Sequence, residues 1–156
     1  MSEPESKPVS ASRITLSQLM HLEHANLLGN VHCGWIMKLV DEAGALSCMR
    51  HAQRKVVTVA IDSMTFREPI RIGDLIILNA EVSYVGRTSM ESEVHVIAEN
   101  PITGERTYTN TAYLVYVALD DMGRPTSVPA LHAETEEEKR RMEKAQQRQE
   151  RRLKNK

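Results

Sequence analysis

One long helical segment precedes four strand-like segments, and this order restricts the possible folds more than any other feature of the chain. Apolar and small side chains recur at the three- and four-residue spacing of one helical face: Ile36, Leu39, Val40, Ala43, Leu46 and Ser47. The pattern predicts a helix over residues 34–51, with Lys38 and Glu42 as its one narrow charged strip. A helix with so little polar surface is typical of one that is wrapped by other structure.

Four segments after the helix alternate with a period of two or are rich in β-branched residues: 56–66, 75–85, 90–99 and 107–119. Turn-forming residues separate them: Pro69 with Gly73 and Asp74, then Gly86 with Arg87, then Asn100, Pro101 and Gly104. Because the connections are short, we expect consecutive strands to be antiparallel neighbours in a meander. The simplest packing is an α+β domain in which a curved antiparallel sheet wraps the helix, with the remaining apolar surface covered by another subunit.

The chain divides into one domain and two polar ends. A length of 156 residues suits a single domain, which we place at residues 13–131. Residues 1–12 are polar, with prominent Ser and Pro, and we expect them to be disordered. In the charged tail, residues 132–156, Thr135 and Glu138 have the spacing of a capping box and predict a helical start. We expect the tail to be solvated helix or disorder rather than a nucleic-acid-binding element.

Composition argues against several functional classes. A formal net charge of -1 lacks the basic excess that is typical of nucleic-acid-binding domains. Cys33 and Cys48 are too few for a disulfide framework, which favours a reducing compartment. Residues 1–12 lack the apolar core of a secretory signal, and no later apolar run approaches the ~20 residues needed to span a bilayer. We therefore expect a soluble, cytoplasmic protein without a membrane span.

Two positions on the predicted helix have the chemistry of an active site. Gly34 lies at the helix start, where the first N–H groups are unpaired and partly positive and could hold an oxyanion. Removing one such donor typically costs ~2.7 to 4 kcal/mol of transition-state stabilisation. Asp41 lies on a mostly apolar arc of the same helix. From the residues alone it is either a catalytic carboxylate or a partly exposed side chain that contacts Lys38.

The spacing of these two groups restricts how they could cooperate. Asp41 lies seven residues beyond Gly34, which corresponds to ~10 Å along a helix. A reacting carbonyl must lie ~3 Å from both the oxyanion donors and the catalytic group, so one helix cannot supply both. If both are used, they come from two protomers whose helices run side by side and antiparallel across a two-fold axis.

Four sequence blocks, in this order, resemble the hotdog-fold acyl-CoA thioesterases of the cytosolic acyl-CoA hydrolase type. They are Gly29-Asn30-Val31-His32-x-Gly34 with Asp41-Glu42, Phe66-x-x-Pro69-Ile70-x-x-Gly73-Asp74, Val85-Gly86-Arg87-Thr88-Ser89-Met90 and Ala118-Leu119-Asp120-x-x-Gly123-Arg124. The resemblance covers residues 13–130 and leaves the tail outside. It implies a hotdog fold, hydrolysis of acyl-CoA to a free fatty acid and CoA, and homodimers that associate further, as trimers of dimers. It implies no metal, and no cofactor apart from the CoA of the substrate.

The resemblance also implies roles for particular residues. Asp41 acts as general base for water or as nucleophile, Asn30 of the facing subunit positions the water or the substrate, and the Gly34 N–H polarises the thioester carbonyl. His32, Arg87, Thr88 and Ser89 are implied to contact the substrate and its CoA. For Arg87 an ordinary hairpin turn with one exposed cation stays open as an alternative.

Cys33 stands where similar proteins usually have glycine, directly before Gly34. If that position needs a positive φ, we expect Cys33 to be strained. Three other interpretations stay open. In the first, Cys33 acts as a nucleophile with His32 as base. In the second, a metal is bound by His21, His24, His32 and Cys33, although His21 and His24 would point to opposite faces of a strand. In the third, the domain binds acyl-CoA or assembles without catalysis.

Overall fold

The structure, a computed structural model, describes residues 5–62, 64–66 and 68–155. It contains seven strands: β1 (Ser6–Pro8), β2 (Ile14–Leu19), β3 (Lys55–Ile61), β4 (Leu75–Val85), β5 (Ser89–Glu99), β6 (Arg106–Leu119) and β7 (Ala130–His132). Two α-helices, α1 (Cys33–Ala52) and α2 (Glu136–Lys154), and two short 3-10 turns, Val9–Ser12 and Leu22–His24, complete the described elements. The predicted central helix and the last three predicted strands are confirmed to within one residue at each end.

The main sheet has the strand order β2-β4-β5-β6-β3, and all its neighbours are antiparallel. The predicted meander is therefore wrong at one place, because β3 lies beside β6 and not beside β4. The connection from Ile61 to Leu75 is long enough to cross to the other edge, and β3 ends at Ile61 rather than at the predicted Phe66. As a result, β2 and β3 form the two sheet edges.

Helix α1 packs against strands β3 to β6, and the sheet curves around it. The core between them is apolar: Ile36, Val40, Ala43, Ile76, Leu78, Met90, Val94 and Leu114 are buried. Burial of apolar surface stabilises a fold by about 25 cal/mol per Å², so burial of such side chains is the main driving force for folding. The α+β prediction of a curved antiparallel sheet around a long helix is confirmed.

Residues 5–12, for which composition predicted disorder, are ordered from Glu5 onward. Strand β1 pairs in parallel with β7, and Val9 is only 2% exposed. Ser12 is also buried, and its hydroxyl donates to the Val9 carbonyl and accepts from Val82 N–H. Burial of Val9 and the hydrogen bonds of the Ser12 hydroxyl therefore stabilise this segment despite its polar composition. Residues 1–4 of the predicted disordered segment lie outside the described residues.

The chain's own helix α2 covers part of the outer face of the sheet, whereas the sequence predicted that another subunit hides the outer or edge apolar surface. Thr135 caps this helix as expected, since its hydroxyl accepts from Glu138 N–H, whereas the Glu138 carboxylate accepts from Glu134 N–H rather than from the cap residue. Ala145, a residue of α2 itself, is fully buried.

Helix α2 is held on the sheet by ion pairs. Arg148 donates two hydrogen bonds to the Glu91 carboxylate, at 2.7 and 3.0 Å, and its guanidinium lies 3.7 Å from the Tyr113 ring centre. Arg152 also binds Glu91, and it reaches Asp62 at the end of β3. The Glu91 side chain is fully buried in this arrangement, so these pairs are far less screened by water than surface pairs.

No helix among the described residues is long and apolar enough to cross a membrane.

Candidate active site

Asp41 is held by two hydroxyl groups from the sheet. Thr58 Oγ1 donates to Asp41 Oδ1 at 2.8 Å, and the Tyr116 hydroxyl donates to the same oxygen at 2.9 Å. The two donors face each other on neighbouring strands, because Thr58 of β3 pairs directly with Tyr116 of β6. Asp41 itself is partly exposed. The arrangement fixes one carboxylate oxygen and leaves the other, Oδ2, with no hydrogen bond among the described residues.

The interpretation of Asp41 as a partner of Lys38 is not what the structure shows. Lys38 Nζ binds Glu42 at 2.8 Å, four residues further along the helix, and lies 5.5 Å from the centre of the Trp35 ring. Asp41 takes its hydrogen bonds from β3 and β6 instead. Its position on the apolar arc of α1 is therefore explained by contact with the sheet rather than by a surface ion pair.

The start of α1 differs from the predicted open oxyanion site. His32 is the cap residue of the helix, and its Nδ1 accepts a hydrogen bond from Gly34 N–H at 2.9 Å. A Cβ added at Gly34 would lie 3.1 Å from that nitrogen, so glycine is what allows the imidazole to approach so closely. His32, Cys33 and Gly34 are all exposed in the single chain. The Gly34 donor is present, but His32 must turn away before a substrate oxygen can use it.

Cys33 is the first residue of α1 and is not strained. Among the described non-glycine residues only Gln53 has a positive φ, so the condition under which strain was expected at Cys33 is not met: a helical first position does not need glycine. The thiol is exposed, and no hydrogen bond joins it to His32 among the described residues. Because His32 Nδ1 is engaged with Gly34, the geometry does not favour a Cys33–His32 nucleophile pair.

His24 lies in a 3-10 turn and His21 caps that turn, so neither lies on a strand, which corrects the geometry expected for them. Their ring centres are 5.8 Å apart, and His24 Nδ1 accepts from His21 N–H at 2.9 Å. The His24 ring packs edge-on against Trp35 at 4.6 Å, and its carbonyl accepts from His32 N–H. His24 therefore ties the preceding loop to the start of α1. In the described part of the chain, no group of three or more His, Cys, Asp or Glu side chains comes together as metal ligands.

Two asparagines lie in the loop before α1. Asn26 Oδ1 accepts from Leu28 N–H at 2.9 Å and from Asn30 N–H at 3.1 Å, and Asn26 N–H donates to the Asn30 carbonyl. Asn26 thus closes the loop with its oxygen, which leaves its side-chain amide hydrogens for other partners. Asn26, Asn30 and Cys33 line a half-open cavity of about 260 Å³ whose other walls are largely apolar, among them Val31, Ile36, Phe66 and Ile70.

The predicted CoA-binding residues Arg87, Thr88 and Ser89 lie in and beside the β4–β5 turn. Gly86 N–H donates to the Ser89 carbonyl at 2.8 Å, and Ala118 N–H donates to the Thr88 carbonyl. Met90, which follows directly, pairs with Tyr116. The turn therefore lies within a few residues of Tyr116, which contacts Asp41. The loop with Asn26 instead precedes the first residue of α1.

Sequence reasoning missed Thr58, Tyr116 and Asn26. In the structure Thr58 alternates with exposed residues along β3, and Tyr116 shares the buried face of β6 with Leu114. No signal in one sequence showed that they meet Asp41, because that depends on β3 crossing to the edge beside β6. For Asn26, local sequence gives no reason to prefer it over Asn30.

Comparison with known proteins connects this geometry to one family. Residues 28–105 match the family described as the thioesterase superfamily. The chain is 41% identical over 134 residues to an uncharacterized acyl-CoA thioester hydrolase of Bacillus subtilis, covering 86% of this chain and 74% of that protein. It is 36% identical to the cytosolic acyl coenzyme A thioester hydrolase of Rattus norvegicus over 90% of its own length, but it spans only 37% of that protein.

Solved structures show the same fold. An apo-hexameric acyl-CoA thioesterase superposes with a TM-score of 0.92 at 42% identity, over 97% of both chains. An acyl-CoA hydrolase from Staphylococcus aureus, in complex with butyryl coenzyme A, coenzyme A and coenzyme A disulfide, gives 0.88 at 34% identity over 96% of this chain and 92% of that one. Structures of that enzyme with an asparagine, an aspartate or a threonine replaced by alanine are similar as well. The hotdog fold is thereby confirmed.

Replacing His32 with alanine should destabilise the start of α1. Loss of a cap residue typically costs about 1 kcal/mol, so His32→Ala should lower the free energy of unfolding by that amount, as measured by denaturant titration at fixed protein concentration. His32→Asn retains an acceptor of suitable length and should stay close to the wild type. Equal losses in the two variants would show that the Nδ1 contact does not stabilise the helix.

Proposed function

The chain belongs to the thioesterase superfamily, and we propose on that premise that it hydrolyses acyl-CoA thioesters to the free fatty acid and CoA. The observation that carries the proposal is the Asp41 carboxylate, which has one oxygen fixed by Thr58 and Tyr116 and the other free to act. Fatty acyl thioesters need no electron or group donor for this reaction, only water. The proposal accordingly includes no cofactor beyond the CoA of the substrate, and no metal.

Asp41 acts in this proposal as the general base. It removes a proton from a water molecule as the water oxygen attacks the thioester carbonyl carbon, and the carbon–sulfur bond then breaks to release CoA. The Gly34 N–H, once His32 has turned away, donates to the carbonyl oxygen as negative charge develops there. Direct attack by the Asp41 carboxylate is the alternative order, and it forms the same products through a mixed anhydride.

We place each site between two subunits. Asp41 and Gly34 belong to one continuous helix, seven residues apart, and a straight helix separates them by ~10 Å. Asp41 of one subunit therefore meets the helix start and the adjoining asparagine loop of a second. Three leucines of that loop support this arrangement, since Leu22, Leu27 and Leu28 are 82%, 105% and 85% exposed in the single chain and large apolar side chains are seldom left in water together.

Strand β3 supports the same assembly. It is a sheet edge, and Val57, Val59 and Ile61 on it are 44%, 54% and 40% exposed. An unpaired apolar edge strand is a template for pairing with another strand. We propose that β3 pairs with its copy across the two-fold axis and brings the two α1 helices side by side. The hexameric thioesterase among the similar structures favours a trimer of such dimers.

Separations along the chain favour Asn26 over Asn30 as the asparagine of the site. In the S. aureus enzyme, the replaced asparagine precedes the replaced aspartate by 15 positions, and the replaced threonine follows that aspartate by 17. Asn26, Asp41 and Thr58 have the same separations in this chain, whereas Asn30 is only 11 positions before Asp41. The side-chain amide of Asn26 donates no hydrogen bond among the described residues, which suits a donor to the water or to the thioester carbonyl.

The β4–β5 turn is the proposed CoA contact. Its backbone groups and the exposed Arg87 suit a phosphate, because a guanidinium binds phosphate oxygens with two parallel hydrogen bonds. Thr88, Ser89 and His32 complete the proposed contacts. A cytosolic relative agrees with a cytoplasmic site of action. Turnover itself separates this proposal from the non-catalytic alternative, in which the domain binds acyl-CoA without cleaving it.

Replacing Asp41 with asparagine tests the proposed base. Asp41→Asn keeps the size of the side chain but cannot accept the proton, so kcat for hydrolysis of butyryl-CoA or a long-chain acyl-CoA should fall by about 10² to 10⁴-fold. Release of the CoA thiol, followed with a thiol reagent, measures this rate. Asp121→Asn, in an exposed loop, is the matched control and should be unchanged. Wild-type turnover by Asp41→Asn would reject Asp41 as the base.

Alanine at each asparagine in turn identifies the one that serves the site. Asn26→Ala should lower kcat/KM by about 100-fold, because a hydrogen bond to the reacting groups is lost, and Asn30→Ala should change it by less than about threefold. Asn26→Asp keeps the oxygen that closes the loop and loses only the amide hydrogens, so an equal loss in this variant separates the missing donor from disturbance of the loop. The reverse ranking would assign the role to Asn30.

A further inference from the structure

Tyr116 lies deepest among the groups that contact Asp41. It is 0% exposed, on the inner face of β6, and its hydroxyl lies 2.9 Å from both the Asp41 carboxylate oxygen Oδ1 and the Asp41 main-chain carbonyl oxygen. A tyrosine that only filled the core would need a single acceptor for its proton. The Tyr116 proton instead has two acceptors, the Asp41 carbonyl oxygen in the backbone of α1 and the Asp41 carboxylate that carries the proposed chemistry.

A glycine makes this contact possible. Gly44 is three residues beyond Asp41 on the same helix, and a Cβ added there would lie 2.5 Å from the Tyr116 hydroxyl oxygen and 3.1 Å from Cε2 and Cζ of the ring. The first of these distances is too short for any side chain, so a larger residue would displace the hydroxyl. Glycine inside a helix is unfavourable by roughly 0.5–1 kcal/mol relative to alanine. The close approach of the Tyr116 hydroxyl explains why glycine occupies position 44 of this helix.

The hydroxyl remains a donor throughout the working range of pH. Burial, and then the neighbouring charge and hydrogen bond of Asp41, raise the pKa of Tyr116 far above its ordinary value. The other ionisable group that faces it, the Cys48 thiol of α1, is neutral because burial also raises its pKa well above the usual range. Thr58, the neighbour on β3, carries no charge. Tyr116 therefore keeps its proton and can donate it to Asp41 Oδ1.

We propose that Tyr116, seated in the notch that Gly44 leaves in α1, is a positioning residue for acyl-CoA hydrolysis. Together with Thr58 it holds Asp41 Oδ1 from the sheet side, so that the carboxylate cannot rotate and Oδ2 stays available to the attacking water. Tyr116 does not touch the substrate. It acts only through Asp41, and this inference rests on the proposed function of that residue.

A double-mutant cycle on the full-length protein tests the proposal. Tyr116→Phe removes only the hydroxyl and should lower kcat about tenfold with KM within about twofold, because orientation of the base matters in the transition state and not in binding. Gly44→Ala should lower kcat in the wild type but much less in the Tyr116→Phe background, where the atom nearest to the new methyl group is gone. Tyr113→Phe, on the same strand but with its hydroxyl on Glu93 of the outer face, is the matched control and should keep wild-type kcat.

The outcomes separate this inference from the proposed function. Wild-type kcat in Tyr116→Phe, or an equal effect of Gly44→Ala in both backgrounds, overturns the role of Tyr116. If Gly44→Ala fails to fold, Tyr116→Phe against Tyr113→Phe decides alone. If Asp41→Asn keeps full turnover, the proposed base itself is rejected. If Asp41→Asn is inactive and Tyr116→Phe is not impaired, only the positioning role is lost.

Discussion

The rigidity of helix α1 is the constraint on which the rest of this structure depends. A helix of 20 residues fixes the distance between its own first turn and its own middle, so no motion of a single chain brings Asp41 to the donor at Gly34. The fold compensates by exposing what a second copy would complete: the capped helix start, the leucines of the preceding loop and the apolar edge of β3. Catalysis and assembly are, on this account, consequences of the same helix length.

The sheet prepares Asp41 from the other side. Because β3 crosses to the edge beside β6, Thr58 and Tyr116 become cross-strand partners, and both hydroxyls meet one carboxylate oxygen. The register of the two strands shifts directly after Thr58, between Thr58 and Ala60, and the pairing then continues with Ala60 opposite Val115 and Ile61 opposite Leu114. The missing side chain of Gly44 leaves room for the tyrosine. Asp41, the proposed base, is therefore oriented by one fully buried and one partly buried hydroxyl group of the sheet.

Much of the fold follows from the sequence, and the site follows only in part. The helix was predictable because its apolar and small residues repeat over about three turns, from Ile36 to Ser47. Three strands were predictable because their residues have period-two or β-branched patterns and turns that contain Gly or Pro separate them. The position of β3 was not, since a connection of a dozen residues permits either neighbour. Asp41 stood out as a carboxylate on an apolar arc, but its partners Thr58 and Tyr116 are set by long-range register. The docking of α2 was also hidden, because it depends on arginines that reach Glu91 over a long separation in sequence.

Subunit complementation measures the shared site most directly. Two differently tagged chains, one with Asn26→Ala and the other with Asp41→Asn, are co-expressed, and the pool of assembled protein is assayed for acyl-CoA hydrolysis beside each parent alone. If Asp41 of one subunit works with the loop of the other, half of the randomly formed dimers regain one intact site of two, and the pool should recover about a quarter of wild-type activity. A pool as inactive as its parents would contradict the account, because it would mean that each chain completes its own site.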